Sequence, residues 1–410
     1  MKLTERHIIK KGHRYYKEID SLTFKSKNLY NRANYLIRQE YINNKKYLNY
    51  TEIVKILQND ENYVSLPRKV SQQVLRLLDK NWISFFRSNK DYKKNPSKYR
   101  GKPKLPKYKD KKKGRNILVY TEQAISRVEL KKEIVKLSGT NIKIKTKVSN
   151  IKQVRVIPRN REYVVEIVYE KEVKDLGLDK NRVMSIDIGL INLMAITSNV
   201  ISFKPKLVNG RPLKSMNQYY NKKKSKLQHN IGDKGSSNKI IRLTNKRDKK
   251  IDWYLHNSSR YVVELCKSND IGRIVIGYNE SWKQEIELGK KNNQNFVNVP
   301  FRKLIDQIRY KSELVGIEVI LHEESYTSKC SFLDGEEVCK HEVYKGSRIK
   351  RGLFRTLSGR LINSDVNGSY NIMLKVIPNS FTDGIEGVVV HPVRIISIKE
   401  NSYKQKKLKV

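Results

Sequence analysis

Apolar positions Leu29, Ala33, Leu36 and Ile37 recur at helical spacing through residues 21–42, and after Ser65, Leu66 and Pro67 the same period returns in Val70, Val74, Leu78, Trp82 and Phe85. Residues three and four apart share one helix face, so both stretches predict amphipathic helices. Beyond residue 115 the period changes. Residues 142–145, 154–156 and 163–170 alternate apolar with polar side chains, which predicts strands with one buried face. A small antiparallel barrel or sheet would hold them, and if residues 1–20 supply its first strand, the helices are an insertion into it. After Lys180 strands and helices alternate: strands at 183–188, 273–278 and 317–322, helices at 251–265 (Leu255, Val262, Leu265) and 300–314 (Leu304, Ile305, Ile308). That order predicts an α/β sheet with partly parallel strands, whose active site would lie at the carboxyl ends of those strands. Trp82, Trp253 and Trp282 read as packing residues.

Between the helical and alternating regions, residues 87–115 break both periods. They hold 14 Lys or Arg against Asp91 and Asp110, interleaved with Tyr92, Tyr99, Tyr108, Pro96, Pro103 and Pro106. Proline with dense charge predicts an extended loop. Arg100, Lys102, Lys104, Lys107 and Lys109 in this tract are candidate nucleic-acid contacts, as are Lys246 and Arg247 in the basic run further on. Lys222–226 reads the same way.

The chain has 410 residues, which at about 150 per domain implies two or three domains. Its formal net charge is +45, from 86 Lys+Arg against 41 Asp+Glu. Such a field concentrates polyanions. No long apolar run or basic amphipathic helix marks a membrane partner, so nucleic acid is the expected one. The N-terminal residues carry no apolar signal region, and three cysteines, Cys266, Cys330 and Cys339, do not make a disulfide framework. A cytoplasmic location is expected, in a bacterial cell and associated with the nucleoid.

Two aspartates carry the candidate chemistry. Asp187 ends an apolar strand and is followed closely by Gly189, while Asp365 stands at the start of an amphipathic helix. Carboxylates converging from a strand end and a helix start can bridge divalent cations roughly 4 Å apart, as phosphodiester hydrolysis requires. Taken alone, Asp187 suits a strand-terminating turn and Asp365 a helix N-cap.

The segments Ser185-Ile-Asp-Ile-Gly189, Glu324-Ser-Tyr-Thr-Ser328, Arg351-Gly-Leu-Phe354 and Asn363-Ser-Asp-Val-Asn-Gly-Ser-Tyr-Asn-Ile372 occur in one order. That order resembles the TnpB family, the transposon-encoded RNA-guided endonucleases related to type V CRISPR effectors. The tract Arg100-Gly-Lys-Pro-Lys-Leu-Pro-Lys-Tyr-Lys109 is similar to a family signature as well. The resemblance covers the whole chain and implies an α+β multidomain protein. An N-terminal wedge β-barrel (1–20 and 105–178) would carry an inserted helical recognition lobe (21–104). An RNase H-like, RuvC-type α/β nuclease domain (179–380) would follow, with a basic C-terminal tail (381–410).

Two departures from the family pattern matter. Gly277 stands where the middle glutamate is expected, leaving Glu280, Glu323 and Glu324 as candidates. In the RNase H-like fold that the resemblance implies, the strand at 317–322 runs beside and parallel to that at 273–278, so a glutamate beyond it could reach the vacated position. Glu324 is the expected one, similar to the relocated glutamate of a subgroup, and Glu323 should face the other way. The family's four-cysteine ribbon is the second departure. Cys330 and Cys339 are followed at the ribbon's spacing by Leu333 and Glu342, and Thr356 and Gly359 replace the later pair. Cys330, Cys339 and His341 give at most three ligands, so the insertion at about 328–362 reads as a degenerate zinc ribbon and zinc is not expected.

The resemblance implies Mg²⁺-dependent cleavage of double-stranded target DNA next to a short transposon-associated motif. A guide RNA from the transposon end would direct it. Asp187, Glu324 and Asp365 would hold two Mg²⁺ ions, and Arg351 would stabilise charge on the scissile phosphate. The alternatives are a nuclease-dead RNA-guided repressor, a DDE-type transposase on the same scaffold, and a generic basic RNA-binding protein. The sequence assigns no oligomeric state.

Overall fold

A computed structural model describes residues 1–232, 235–279, 299–381, 384–385 and 388–395. The chain divides into two compact units, Met1–Lys171 and Glu172–Val410. No helix among the described residues is long and apolar enough to cross a membrane.

The first unit contains β1 (Lys2–Ile9), α1 (Tyr16–Asn44), α2 (Tyr50–Leu57), α3 (Glu61–Val64), α4 (Arg68–Lys94), β2 (Leu118–Thr121), α5 (Arg127–Leu130), β3 (Ile134–Lys136), β4 (Lys143–Lys145), β5 (Ile151–Arg159) and β6 (Glu162–Glu170). Pro67 opens α4, where its missing N–H costs nothing, and an Asn49–Glu52 capping box opens α2. The predicted helices therefore form, somewhat longer than their apolar periods.

The expected closed barrel does not. Strands β1, β6, β5 and β2 make an open four-stranded sheet in that order, with β3 and β4 pairing separately. Alternation specifies one buried face without specifying what covers it, and here the helices do. Leu118, Tyr120, Val154, Val156, Val165 and Ile167 of the sheet share one core with Leu29, Ala33, Val70 and Trp82 of the helices. Trp82 is fully buried, and its indole Nε1 donates to Asn34 Oδ1 at 3.0 Å. With helices on that face, the sheet gains nothing by closing on itself.

The second unit contains β7 (Asp179–Ile188), β8 (Asn192–Ser198), β9 (Lys206–Asn209), α6 (Arg211–His229), α7 (Asn238–Ser268), β10 (Ile271–Gly277), α8 (Phe301–Glu313), β11 (Glu318–His322), β12 (Ser347–Lys350), β13 (Leu353–Arg355), β14 (Leu361–Asn363), α9 (Ser364–Val376) and β15 (Val393–Ile395). Its main sheet has the order β11-β10-β7-β8-β9-β15. Strand β10 is parallel to both β7 and β11, the latter as the resemblance implies, whereas β8 is antiparallel to β7 and to β9. Strands β12, β13 and β14 form a small antiparallel sheet of their own.

Strand alternation sorts the side chains of the main sheet between two layers. Met184, Ile186 and Ile188 pack with α7 and α8, while Val183 and Val275 pack with Ile372 and Met373 of α9. Asp187, two and four residues on from Ser185 and Val183, therefore faces α9. Trp82 is the packing residue the sequence suggests, but Trp253 on α7 is 49% exposed. Trp282 lies outside the described residues.

Candidate active site at the carboxyl ends of β7 and β10

Asp187 stands one residue before the end of β7, at the tight hairpin into β8. A side chain at Gly189 would meet the Asn192 carbonyl oxygen at 2.8 Å, so the hairpin itself requires a glycine there. Beneath Asp187, three buried hydroxyls lock strand to helix. Ser185 Oγ donates to the Ser369 carbonyl at 2.5 Å and lies 2.7 Å from Thr197 Oγ1, and Thr197 Oγ1 lies 2.9 Å from Ser369 Oγ. This draws α9 close enough that a β-carbon at Gly368 would sit 3.2 Å from Asp187 Oδ2.

Asp365 enters from α9. It is not the N-cap; Asn363 takes that role, its side chain accepting from the backbone N–H groups of Asp365 and Val366. The Asp365 carboxylate is thereby free to project, and Asn192 Nδ2 donates to its Oδ2 at 2.7 Å. Arg348, on β12, reaches within 3.9 Å of its Oδ1.

The third carboxylate is a matter of space. In the β10–β7 register Ile276 pairs with Ile186, which sets Gly277 beside Asp187, and Gly277 pairs with His322 across to β11. A β-carbon on Gly277 would stand 2.9 Å from Glu324 Oε2 and 2.5 Å from Ile372 Cδ1. The carboxylate of Glu324 thus occupies the volume that a side chain at 277 would fill. Its chain position is fixed by Asn279 Oδ1, which accepts from the Glu324 N–H at 3.3 Å, and by Thr327 Oγ1, which donates to the Glu324 carbonyl at 2.8 Å. Glu323 is exposed and pairs with Lys375 at 3.3 Å and with the Ser325 hydroxyl. Glu280 lies outside the described residues.

The three carboxylates feel one another. Burial raises the Asp187 pKa well above the ordinary carboxylate range, the charges of Glu324 and Asp365 raise it further, and Arg348 opposes them. Asp187 keeps part of its surface in contact with solvent, yet loss of hydration at the carboxyl group is the larger cause. Among the described residues no group of three or more His, Cys, Asp or Glu side chains, these three carboxylates included, stands close enough together to hold a metal ion. The donor set is nevertheless chemically suited to Mg²⁺, being all carboxylate oxygen with excess negative charge.

Arg351 is exposed in the turn between β12 and β13, and Arg348 is a cation that stands beside the carboxylates. Arg348 and Asn192 escape sequence reading because nothing in their local pattern marks them. Asn363 left a signal, since Asn caps helices as well as Asp does and stands two residues earlier.

The basic candidates divide. Arg100, Lys102, Lys104, Lys107 and Lys246 are exposed. Lys109 instead lies over the Tyr30 ring at 5.0 Å, and burial lowers its pKa. Arg247 donates to Asn217 Oδ1 at 2.8 Å and to Asp248, and covers Tyr220, so it ties α6 to α7.

In the loop at 328–362, Glu336 accepts from the Ser331 and Lys345 N–H groups, and Phe332 stacks on Tyr370 at 4.3 Å. Cys339 Sγ lies 3.3 Å from His341 Nε2, and Cys330 Sγ lies 3.5 Å from the Cys339 carbonyl oxygen.

The chain is similar to several known proteins. The family model OrfB_IS605, described as a probable transposase, matches residues 166–283, and the model described as Cas12f1-like, TNB domain matches residues 301–372. A CRISPR-associated endodeoxyribonuclease Cas12f2 from a Micrarchaeota archaeon is 27% identical over 232 residues, 53% of this chain and 41% of that protein. A Cas12f1 endodeoxyribonuclease from Sulfoacidibacillus thermotolerans is 26% identical over 56% of this chain and 54% of its own. The TnpB-like protein ORF457 of Acidianus two-tailed virus is 26% identical over 55% and 48%. The chain thus matches about half the length of these curated relatives. Among solved structures, one Cas12f1–sgRNA–target DNA complex aligns with a TM-score of 0.54 at 15% identity, covering 87% of this chain and 82% of that one, a likeness of fold.

Proposed function

We propose that this chain, which matches the OrfB_IS605 and Cas12f1-like TNB domain models and a TnpB-like viral protein, is an RNA-guided DNA endonuclease with a RuvC-type centre at Asp187, Glu324 and Asp365. The observation that carries this reading is the Glu324 carboxylate standing where a side chain at Gly277 would be. A relative that had lost cleavage would have no reason to fill that volume with a charge facing two others.

In this reading the strand ends hold Asp187 and Glu324 rigidly. Asn192 fixes one oxygen of Asp365 and leaves the other toward Arg348. Asp187, Glu324 and Asp365 would hold two Mg²⁺ ions, which when bound activate water and stabilise charge on the leaving 3′ oxygen. Arg348, exposed on β12 and beside the carboxylates, contacts the scissile phosphate, with Arg351, in the turn that follows, the second candidate for that contact. A guide RNA from the transposon end pairs with target DNA, and the first unit reads a short flanking motif. The 328–362 loop would fold without zinc, with Glu336 tying the Ser331 and Lys345 N–H groups together.

Guided plasmid cleavage tests the site. Asp187→Ala and Glu324→Gln should each lower the rate about a hundredfold or more, equivalent to ~2.7 kcal/mol of transition-state stabilisation. Glu323→Gln and Glu280→Gln should cleave near the wild-type rate. Loss confined to Glu280→Gln would move the third ligand away from Glu324. Gly277→Ala should also impair cleavage, because its methyl group would press on Ile372 of α9 and on the Glu324 carboxylate.

A further inference from the structure

In the first unit, residues 101–110 form an extended strap along α1, and its backbone is held by buried or half-buried side chains. Asn31 Nδ2 donates to the Lys109 carbonyl at 2.9 Å, and Asn31 Oδ1 accepts from the Lys109 N–H at 2.9 Å. Asn34, itself fully buried, donates to the Pro106 carbonyl at 3.0 Å. Between strap, α1 and α4 lies a cleft of about 450 Å³, within the ~300–1,000 Å³ common for small-ligand sites.

Three features of the lining narrow the occupant. Phe85, half-buried against Trp82 and Phe86, lines the cleft, and so does the ring of the buried Tyr30. Asn81 and Ser84 supply neutral donors and acceptors, and Asn81 Nδ2 already donates to the Tyr30 hydroxyl at 3.2 Å. Lys104 and Lys107 stand exposed on the strap at the rim, and no lining residue is acidic. A hydrocarbon would leave the amide and hydroxyls unpaired, and a cation would meet only positive charge. A flat heterocycle bearing a phosphate matches all three. A base inside a duplex has no free face, so the strand must be unpaired at that point.

We infer that this cleft is a binding site for one unpaired nucleotide, its base against Phe85 and its phosphate on Lys104 and Lys107. The inference rests on the nucleic-acid-guided reading above only for the source of the strand. Stacking on one aromatic side chain is worth about 1 kcal/mol or more, which is about fivefold in affinity.

The test uses the full chain, freed of nucleic acid at high salt, with short single-stranded RNA and DNA oligonucleotides carrying 5-iodouracil. Photocrosslinked adducts are then mapped by mass spectrometry. The expected adduct lies on Tyr30 or within residues 81–88, and falls fivefold or more in Phe85→Leu, in Lys104→Gln and in Ser84→Trp. Ser84 is exposed, so its tryptophan fills the cleft without entering the core, and an unchanged melting temperature separates this from misfolding. Adducts only elsewhere, or undiminished by Ser84→Trp, overturn the inference. Crosslinking by RNA alone or DNA alone identifies the source. Asp187→Ala should crosslink like wild type while losing cleavage, so failure of the nuclease reading and failure of this one give different patterns.

Discussion

Burial, and then the charges of Glu324 and Asp365, hold the Asp187 carboxyl well above the ordinary range, with Arg348 opposing. The folded chain therefore binds that proton more tightly than the unfolded chain does. The resulting penalty is absent below about pH 3.9, grows as pH rises, and is complete above the raised folded value. Each tenfold gain in proton affinity on folding adds about 1.4 kcal/mol to it. Asp187→Asn removes it. In metal-free protein the melting temperature of Asp187→Asn should exceed that of wild type by more at pH 8 than at pH 5. Added Mg²⁺ should close the gap at pH 8 by stabilising wild type alone, since binding the folded state raises its stability by mass action. A gap that does not change with pH would mean that neither burial nor the neighbouring charges raise the Asp187 carboxyl in the folded chain.

At the scale of elements, the site depends on how far α9 stands from β7. The closed set of hydroxyls from Ser185, Thr197 and Ser369 fixes that distance, and all three side chains are fully buried. Ser369→Ala leaves Ser185 and Thr197 to pair with each other and should cost ~1 kcal/mol in urea unfolding, with cleavage largely kept. Ser369→Val adds bulk between helix and strand and should lower cleavage at least about tenfold while RNA binding persists. Wild-type cleavage by Ser369→Val would show that the hydroxyls do not set the spacing. None of this was legible in the sequence, where Ser185 and Ser369 look like ordinary polar residues in a strand and a helix. While the parallel relation of β10 to β11, and hence the reach of Glu324 toward Gly277, came from the family resemblance, periodicity did expose the strands. It could not say what covers a buried sheet face, which is why a barrel was expected where helices close the core. Side-chain partners brought together from distant segments, such as Asn192 and Arg348 at Asp365, leave no periodic trace either.

For the whole molecule, a net charge of +45 sets how binding responds to salt. Each phosphate neutralised on duplex DNA contributes about −0.9 to the slope of log affinity against log salt, and about −0.7 on a single strand. Charge counted from sequence overstates the lysines available for this. In the basic strap, Lys102, Lys104 and Lys107 face solvent, whereas Lys109 covers the Tyr30 ring and is partly desolvated. Arg247 is similarly engaged with Asn217, Asp248 and Tyr220. Changing Lys102, Lys104 and Lys107 together to Gln should therefore flatten the slope by about 2 to 3. Lys109→Gln should leave the slope as it is and instead lower stability, because the lost contact is with Tyr30 and not with phosphate. Anisotropy titrations across a salt series, paired with thermal melts, separate the two. If Lys109→Gln flattens the slope as much as Lys107→Gln does, the strap turns Lys109 outward when nucleic acid binds, and the Asn31 clamp on its backbone must open with it.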